Sequence, residues 1–399
     1  MLADQFISSW EELVNFDRLR EYRLSRTLHE IKRLELDGVI LFKADNIRYV
    51  SSIRPLIWEA GYQTRNFVIL NKEGDISLFV ASGDYQRVKL NNPWLSNVKP
   101  LASMEDAGIA RRVVSDSLIP EIKRMNLGNS KIGLDVTTFY TTDFIRKSLR
   151  EIGSDLDDSG ETAIREARTI KSDDEMRLIQ AAGGIVDAGL AASQDNIFAG
   201  NKENSVAGQA LLTMYSLGTE WMPANPAVCS GNPYRRFSTD KIIRYGENVL
   251  VNLSAMNDGY CAEATRTFSV GNPTEAKHRS IDNIREAYSR LLGLLKSGLS
   301  IGDLTLESRN VLLEFGLERN SRVSLRGAGL SLTDLPIAID ITHDSTVEGS
   351  EAVLKPGMAL IPELRIDDNE SDPTIFSDTL QLTDQGIAHL TRYQSKEEW

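Results

Sequence analysis

Residues 249–268 run Val-Leu-Val-Asn-Leu-Ser-Ala-Met-Asn-Asp-Gly-Tyr-Cys-Ala-Glu-Ala-Thr-Arg-Thr-Phe. An apolar, partly β-branched run, an Asn257-Asp258-Gly259 turn and a second such run spell strand, turn, strand. Asn252 and Glu263 stand on opposite arms, and in a hairpin such positions can face one cavity. The plainer alternative is a hairpin with its polar side chains turned outward. The pattern alone does not choose between them.

Working outward, further strands are predicted at Asn248–Leu253, Thr265–Val270, Met358–Pro362 and Thr379–Leu382. Helices interleave with them. Ser172 and Glu175 form a capping box ahead of a long helix through Ile179, Ile185, Val186 and Leu190. A second helix covers about 205–217. A third starts at Thr274 with Ile281, Ile284, Ala287, Leu291 and Leu295 on one face. Helices with antiparallel-looking strands make this half α+β. Toward the N-terminus, Leu24, Leu28 and Ile31 mark a helix. Val39–Phe42, Phe67–Leu70, Ile76–Val80 and Ile132–Val136 read as strands, with an Asn71-Lys72-Glu73-Gly74 hairpin turn. This half is mixed α/β. The polar stretch Ser154–Gly160 reads as a boundary or exposed loop, dividing the chain into domains 1–160 and 161–399.

The chain's 399 residues suit two or three domains at roughly 100–200 residues each. Lys+Arg 45 against Asp+Glu 57 gives a net charge of -12, which argues against nucleic acid as a partner. Two cysteines, Cys229 and Cys261, without a Cys-x-x-Cys pair, indicate a reducing compartment and no zinc site. The start MLADQFISSWEELVNF lacks the basic and apolar regions of a signal peptide. No uncharged apolar run reaches the ~18 residues a membrane span needs. A cytoplasmic enzyme without membrane contact is the expectation.

Several separated strings narrow this further. DGYCAEATRTFSVGNPT (258–274) resembles the pita-bread superfamily of methionine and proline aminopeptidases, creatinase and their relatives. So, in the same order, do EARTIKSDDEMRLIQAAGGI (166–185), SGNPYRRFSTDKIIRYGENVLVNL (230–253), LRGAGLSLTDLP (325–336), LKPGMALIPELRI (354–366) and FSDTLQLTDQGIAHLT (376–391). FDRLREYRL (16–24) and NIRYVSSIR (46–54) are similar to the creatinase-type N-terminal domain. The resemblance implies a creatinase-type N-terminal domain followed by a pita-bread catalytic domain.

The departures from that pattern are informative. The resemblance places the superfamily's five metal-ligand positions at Asn252, Glu263, Arg326, Glu363 and Ser377. Divalent metals need anionic oxygen or neutral imidazole, and an arginine repels them. No metal and no other cofactor is therefore expected. The surviving carboxylates, Glu263 and Glu363, can instead hold a substrate cation and exchange protons. Arg326 can take a carboxylate, with Asn252 helping to orient the substrate. A small zwitterion follows. An amidinium carbon is already electrophilic and needs no Lewis acid.

Within the superfamily the substitutions are most similar to those of the ectoine hydrolases. That implies opening of ectoine's tetrahydropyrimidine ring to N-acetyl-2,4-diaminobutyrate, with a downstream deacetylase as a partner. Glu263 would attack the amidinium carbon or activate water, and Glu363 would bind the ring N–H and shuttle protons. Creatinase-type enzymes share sites across a homodimer. The segment 52–65 is the candidate contributor, with Trp58 over the cation, Tyr62 beside it, and Arg54 or Arg65 on the carboxylate. Arg235 falls near creatinase's catalytic histidine position. The competing expectations are another small-molecule pita-bread hydrolase or lyase, acting on a guanidino or betaine-like compound, and a non-catalytic binding module.

Overall fold

A computed structural model describes residues 14–54, 56, 65–231, 235–272, 275–338, 351–367 and 374–394. The chain divides into two compact units, Asn15–Arg168 and a second taking in Thr169 onward.

In the first unit, β1 (Gly38–Leu41), β2 (Phe67–Asn71), β3 (Ile76–Ala81), β4 (Val98–Leu101), β5 (Lys131–Leu134) and β6 (Asp155–Asp157) form a six-stranded sheet ordered β4-β3-β2-β1-β5-β6. β1, β2 and β3 are antiparallel neighbours, while β4, β5 and β6 join in parallel. β1 and β2 are buried along their whole length. That explains their near-continuous apolar runs, since both faces are covered.

Ser154–Gly160 is not a loop. Ser154 and Leu156 are buried, Asp155–Asp157 is the sixth strand, and Gly160 opens the helix Gly160–Thr169. The polar residues are spent locally. Asp157 accepts from the Ser159 N–H at 2.8 Å and pairs with Lys131 at 3.0 Å. Gly160 is required here, because a Cβ would stand 2.3 Å from the Leu134 nitrogen. A compositional reading registers the charge but not the partners.

In the second unit, the described strands are β7 (Ala227–Ser230), β8 (Asn248–Asn257), β9 (Tyr260–Ser269), β10 (Ser321–Gly327), β11 (Asp334–Ala338), β12 (Ala359–Ile366), β13 (Thr374–Ser377), β14 (Leu380–Thr383) and β15 (Gly386–His389). They make a nine-stranded sheet with the path β11-β10-β12-β13-β9-β8-β7, and β14 and β15 extend from β12. Every pairing in it is antiparallel. The predicted hairpin is β8–β9. Asp258 and Gly259 both take positive φ (42° and 85°), as a tight two-residue turn requires.

The helix Asp173–Asn196 carries the predicted capping box, which contributes about 1 kcal/mol. The helices Glu275–Leu294 and Ile301–Glu314 bury Leu291, Leu292, Leu304 and Leu312 against sheet residues such as Leu325, Leu360 and Phe376. Among the described residues no helix is long and apolar enough to cross a membrane.

Candidate active site

Side chains alternate across a strand, and residues paired in an antiparallel ladder share a face. In the hairpin, Asn252 pairs with Thr265 and Ser254 with Glu263. Thr265 then pairs with Ser377, Ser377 with Glu363, and Glu363 with Ser324. Arg326 lies two residues beyond Ser324 on β10. One face of the sheet therefore gathers Asn252, Glu263, Ser377, Glu363 and Arg326 from five strands.

The contacts define what each can do. Arg326 Nη2 donates to Glu263 Oε1 in an ion pair, and its Nη1 donates to the Leu332 carbonyl at 3.2 Å. The Thr379 hydroxyl holds the Glu263 backbone from both sides, accepting from its N–H at 2.9 Å and donating to its carbonyl at 2.8 Å. Asn252 Nδ2 and the Ser377 hydroxyl both donate to Thr265 Oγ1, at 2.7 and 2.9 Å. Glu363 is half-buried, and among the described residues no hydrogen bond or ion pair engages its carboxylate.

The charges follow from this packing. Burial pushes the Glu363 carboxyl above the usual range, and the nearby Glu263 charge adds to it. Arg326, Arg365 and Arg236 pull the other way. Burial opposes the charge on Arg326, but Glu263 and then Glu363 outweigh it and raise its pKa. Two carboxylates sharing a partly desolvated face make the more isolated one hold its proton longer.

Other expected residues have partners of their own. Arg235 Nη2 donates to the fully buried Glu203 at 2.5 Å, and Nη1 to Thr239 at 2.7 Å, so its guanidinium is spent on the helix Glu203–Ser216. In the first unit, Arg65 forms two hydrogen bonds with Glu105 at 3.0 and 3.1 Å, and the Arg54 carbonyl accepts from Arg87 at 2.7 Å. Trp58 and Tyr62 lie outside the described residues. The expectation that Arg326 takes a substrate carboxylate meets a different arrangement, in which its nearest partner is Glu263.

Two side chains in contact with this group, Thr265 and Thr379, were missed by the sequence reading. Thr265 is two residues beyond Glu263, and strand period alone puts it on the same face. Thr379 carries no such local signal. Cys229 and Cys261 are buried free thiols, and His278 is an exposed partner of Asp282 at 2.7 Å. A cavity of about 790 Å³ is bordered by Arg266, Phe376 and Asp378. These alternate with Thr265 and Ser377, so the cavity lies on the other face of the sheet from the acid pair.

The profile of the metallopeptidase family M24 matches residues 177–384, and that of the Creatinase/Prolidase N-terminal domain matches 23–170. The chain belongs to the metallopeptidase family M24, with a creatinase-type N-terminal domain and a pita-bread catalytic domain. The Xaa-Pro dipeptidase of Pyrococcus horikoshii is 25% identical over 378 residues, covering 93% of this chain and 97% of that protein. The dimethylsulfoniopropionate lyase DddP of Roseovarius nubinhibens is 24% identical, covering 96% and 87%. The crystal structure of the Pyrococcus horikoshii OT3 prolidase superposes with a TM-score of 0.75 at 23% identity, over 93% of this chain and 98% of that one.

The family name implies metal ions, and the donor set here does not fit a pair of them. Asn252 and Ser377 offer neutral groups already bonded to Thr265. Arg326 brings a cation onto Glu263. Among the described residues no cluster of three or more His, Cys, Asp or Glu is placed to hold a metal ion.

Proposed function

We propose that this protein hydrolyses the cyclic amidine ectoine to N-acetyl-L-2,4-diaminobutyrate without a metal ion. One observation carries the reading: two carboxylates remain on the site face, and Arg326 is ion-paired with one of them, Glu263. A site that keeps Glu263 and Glu363 partly desolvated gains from a ligand that brings positive charge to them.

Ectoine's amidinium would lie against the two glutamates. Glu263, held by Arg326, faces the amidinium carbon and either directs water to it or attacks it, in which case water afterwards cleaves the glutamyl C–O bond and frees the carboxylate. Glu363, whose carboxyl binds protons more readily than usual, takes a proton from the attacking group and returns one to the departing ring nitrogen. Addition of water forms one C–O bond, and collapse breaks one ring C–N bond. The product holds an acetamide and an amine, so atoms balance. Asn252 orients the ring. A homodimer with a shared site, a cytoplasmic setting and a downstream deacetylase belong to the same proposal.

The test is chelator-dialysed protein incubated with ectoine and followed by proton NMR. Appearance of N-acetyl-2,4-diaminobutyrate supports the proposal, and an unchanged ectoine spectrum overturns it. A second reading has support from the lyase relative. The name dimethylsulfoniopropionate joins a sulfonium cation to a carboxylate, the same pairing of charges that this site would accept. A C–S lyase, incubated instead with a sulfonium betaine and followed by the same NMR method, would release an alkene and a thioether. Xaa-Pro dipeptide cleavage, the activity named for several relatives, needs ligands that Asn252, Arg326 and Ser377 do not supply.

A further inference from the structure

The cavity of about 790 Å³ lies on the face of the sheet away from the acid pair, and the reaction proposed above makes no use of it. Four of its wall residues, Arg285, Tyr288, Ser289 and Leu292, stand at i, i+3, i+4 and i+7 of the helix Glu275–Leu294 and so share one helix face. Tyr288 and Leu292 are buried, and Tyr288 stacks with Phe376 of β13 at a ring-centroid distance of 6.0 Å. The inner wall is therefore aromatic and apolar. Ser289, His389, Arg392 and Gln394 are exposed, which puts them at the mouth.

Charge is distributed unequally along this wall. Among the described residues that line it, Asp378 is the one acid, against Arg266, Arg285 and Arg392. Asp378 is saturated, accepting from Arg266 at 2.6 Å, Tyr288 at 3.2 Å and Thr391 at 3.0 Å. Arg266 is spent on that carboxylate and on backbone carbonyls, and Arg285 reaches Asp282 at 3.0 Å. Arg392 differs from both. Its backbone N–H donates to Asp187 at 2.8 Å, as that of Tyr393 does at 3.0 Å, and these two bonds answer the Asp187 carboxylate. Its Nε donates to the His389 carbonyl at 3.1 Å. The side chain is thus anchored at its backbone and at Nε. Among the described residues no hydrogen bond or ion pair engages either Nη group.

We propose that this cavity is a second, non-catalytic ligand site, for a small organic anion whose aromatic body packs against Tyr288, Phe376 and Leu292 and whose oxyanion pairs with Arg392. An exposed, anchored guanidinium offers two N–H donors to an oxyanion without a buried-charge penalty in the free protein. The cavity falls within the range of about 300–1,000 Å³ typical of small-molecule pockets. The site stands apart from the ectoine reading, because it is on the opposite face. It backs onto that face, since Arg266 follows Thr265 and Asp378 follows Ser377 in the chain.

The test titrates the full chain with 8-anilinonaphthalene-1-sulfonate, followed by fluorescence, and with N-phenyl-1-naphthylamine, the same rings without the sulfonate. Wild type should bind the sulfonate at one saturable site per chain, more tightly than the neutral compound. In Arg392→Ala the Kd of the sulfonate should rise about tenfold or more, the range for losing a charge-assisted hydrogen bond. The Kd of the neutral compound should stay at the wild-type value. Ser289→Trp, which brings an indole into the cavity from an exposed helix position, should remove binding of both. Glu263→Gln, on the other face, should change neither. Absence of saturable binding in wild type overturns the proposal, as does an unchanged sulfonate affinity in Arg392→Ala. Binding that survives Ser289→Trp, or that weakens in Glu263→Gln, puts the probe elsewhere and overturns it as well. Matching melting curves for the variants exclude misfolding as the cause.

Discussion

Strand β9 has an acid–arginine partnership on each of its faces, and the two are built to opposite ends. On the helix side, Arg266 Nη1 donates to the Thr265 and Ser377 carbonyls at 2.9 and 2.7 Å. Its Nη2 donates to Asp378 at 2.6 Å and the Tyr393 carbonyl at 2.9 Å. Asp378 also accepts from Tyr288 at 3.2 Å and Thr391 at 3.0 Å. On the site face, Arg326 meets Glu263, while Glu363 has no bonded donor among the described residues. The same residue types make a strut on one face and an open site on the other. The difference is saturation: a fully bonded buried pair fixes strands, and a carboxylate left unbonded keeps its acceptor capacity open to a ligand. It also explains why the 790 Å³ cavity, though large, does not mark the chemistry, since the buried Arg266–Asp378 pair at its wall is already spent.

The sharpest way to break this contrast is Glu263→Gln. Turnover should fall by about a hundredfold or more, the usual contribution of a group in direct acid–base or nucleophilic work. A variant retaining more than a tenth of wild-type turnover, read in the NMR assay, would contradict the role. On the other face, Arg266→Met leaves Asp378 buried and unpaired. The expected loss is about 3–5 kcal/mol of stability, measured by urea titration. A loss below 1 kcal/mol would show that the strut is not one.

Glu363 gives a subtler test, because an open site costs stability. Its carboxyl pKa is raised by burial and by Glu263. The proton is therefore bound more tightly folded than unfolded. That contribution is complete below the unfolded pKa of about 4.3 and is lost as pH rises through the raised folded value. Glu363→Gln should thus melt higher than wild type at neutral pH, while losing activity, and the gap should close below pH ~4. Identical melting temperatures at neutral pH would mean that the charge is not strained. The smallest effect belongs to Arg65→Ala. Its guanidinium is committed to Glu105 near the surface, so stability should change by about 0.5 kcal/mol. A large rise in KM in that variant would instead place Arg65 on the substrate.

Much of the fold was legible because it is local. The Asp258-Gly259 turn, the capping box of Ser172 and Glu175 and the strand at Phe67–Asn71 are each specified by residues close in sequence. Ser154–Gly160 was misread because its charges are answered by Lys131 and Ser159 and its backbone by β5. The site was half legible. Period-two alternation puts Glu263 and Asn252 on facing arms, and the register confirms a shared face. The pairing of Arg326 with Glu263 joins strands 63 residues apart, and nothing local announces it. The commitment of Arg235 to Glu203 was also hidden. It depends on a partner on a separate helix.

On the proposed function, two acids and an arginine do the work that metal ions do in a metallopeptidase. Elemental analysis by plasma mass spectrometry, on the same sample whose ectoine turnover is measured, tests it most directly. Full turnover with bound transition metal far below one ion per chain is the predicted result. Turnover that rises in proportion to bound metal, or that returns only when metal is restored, would contradict it.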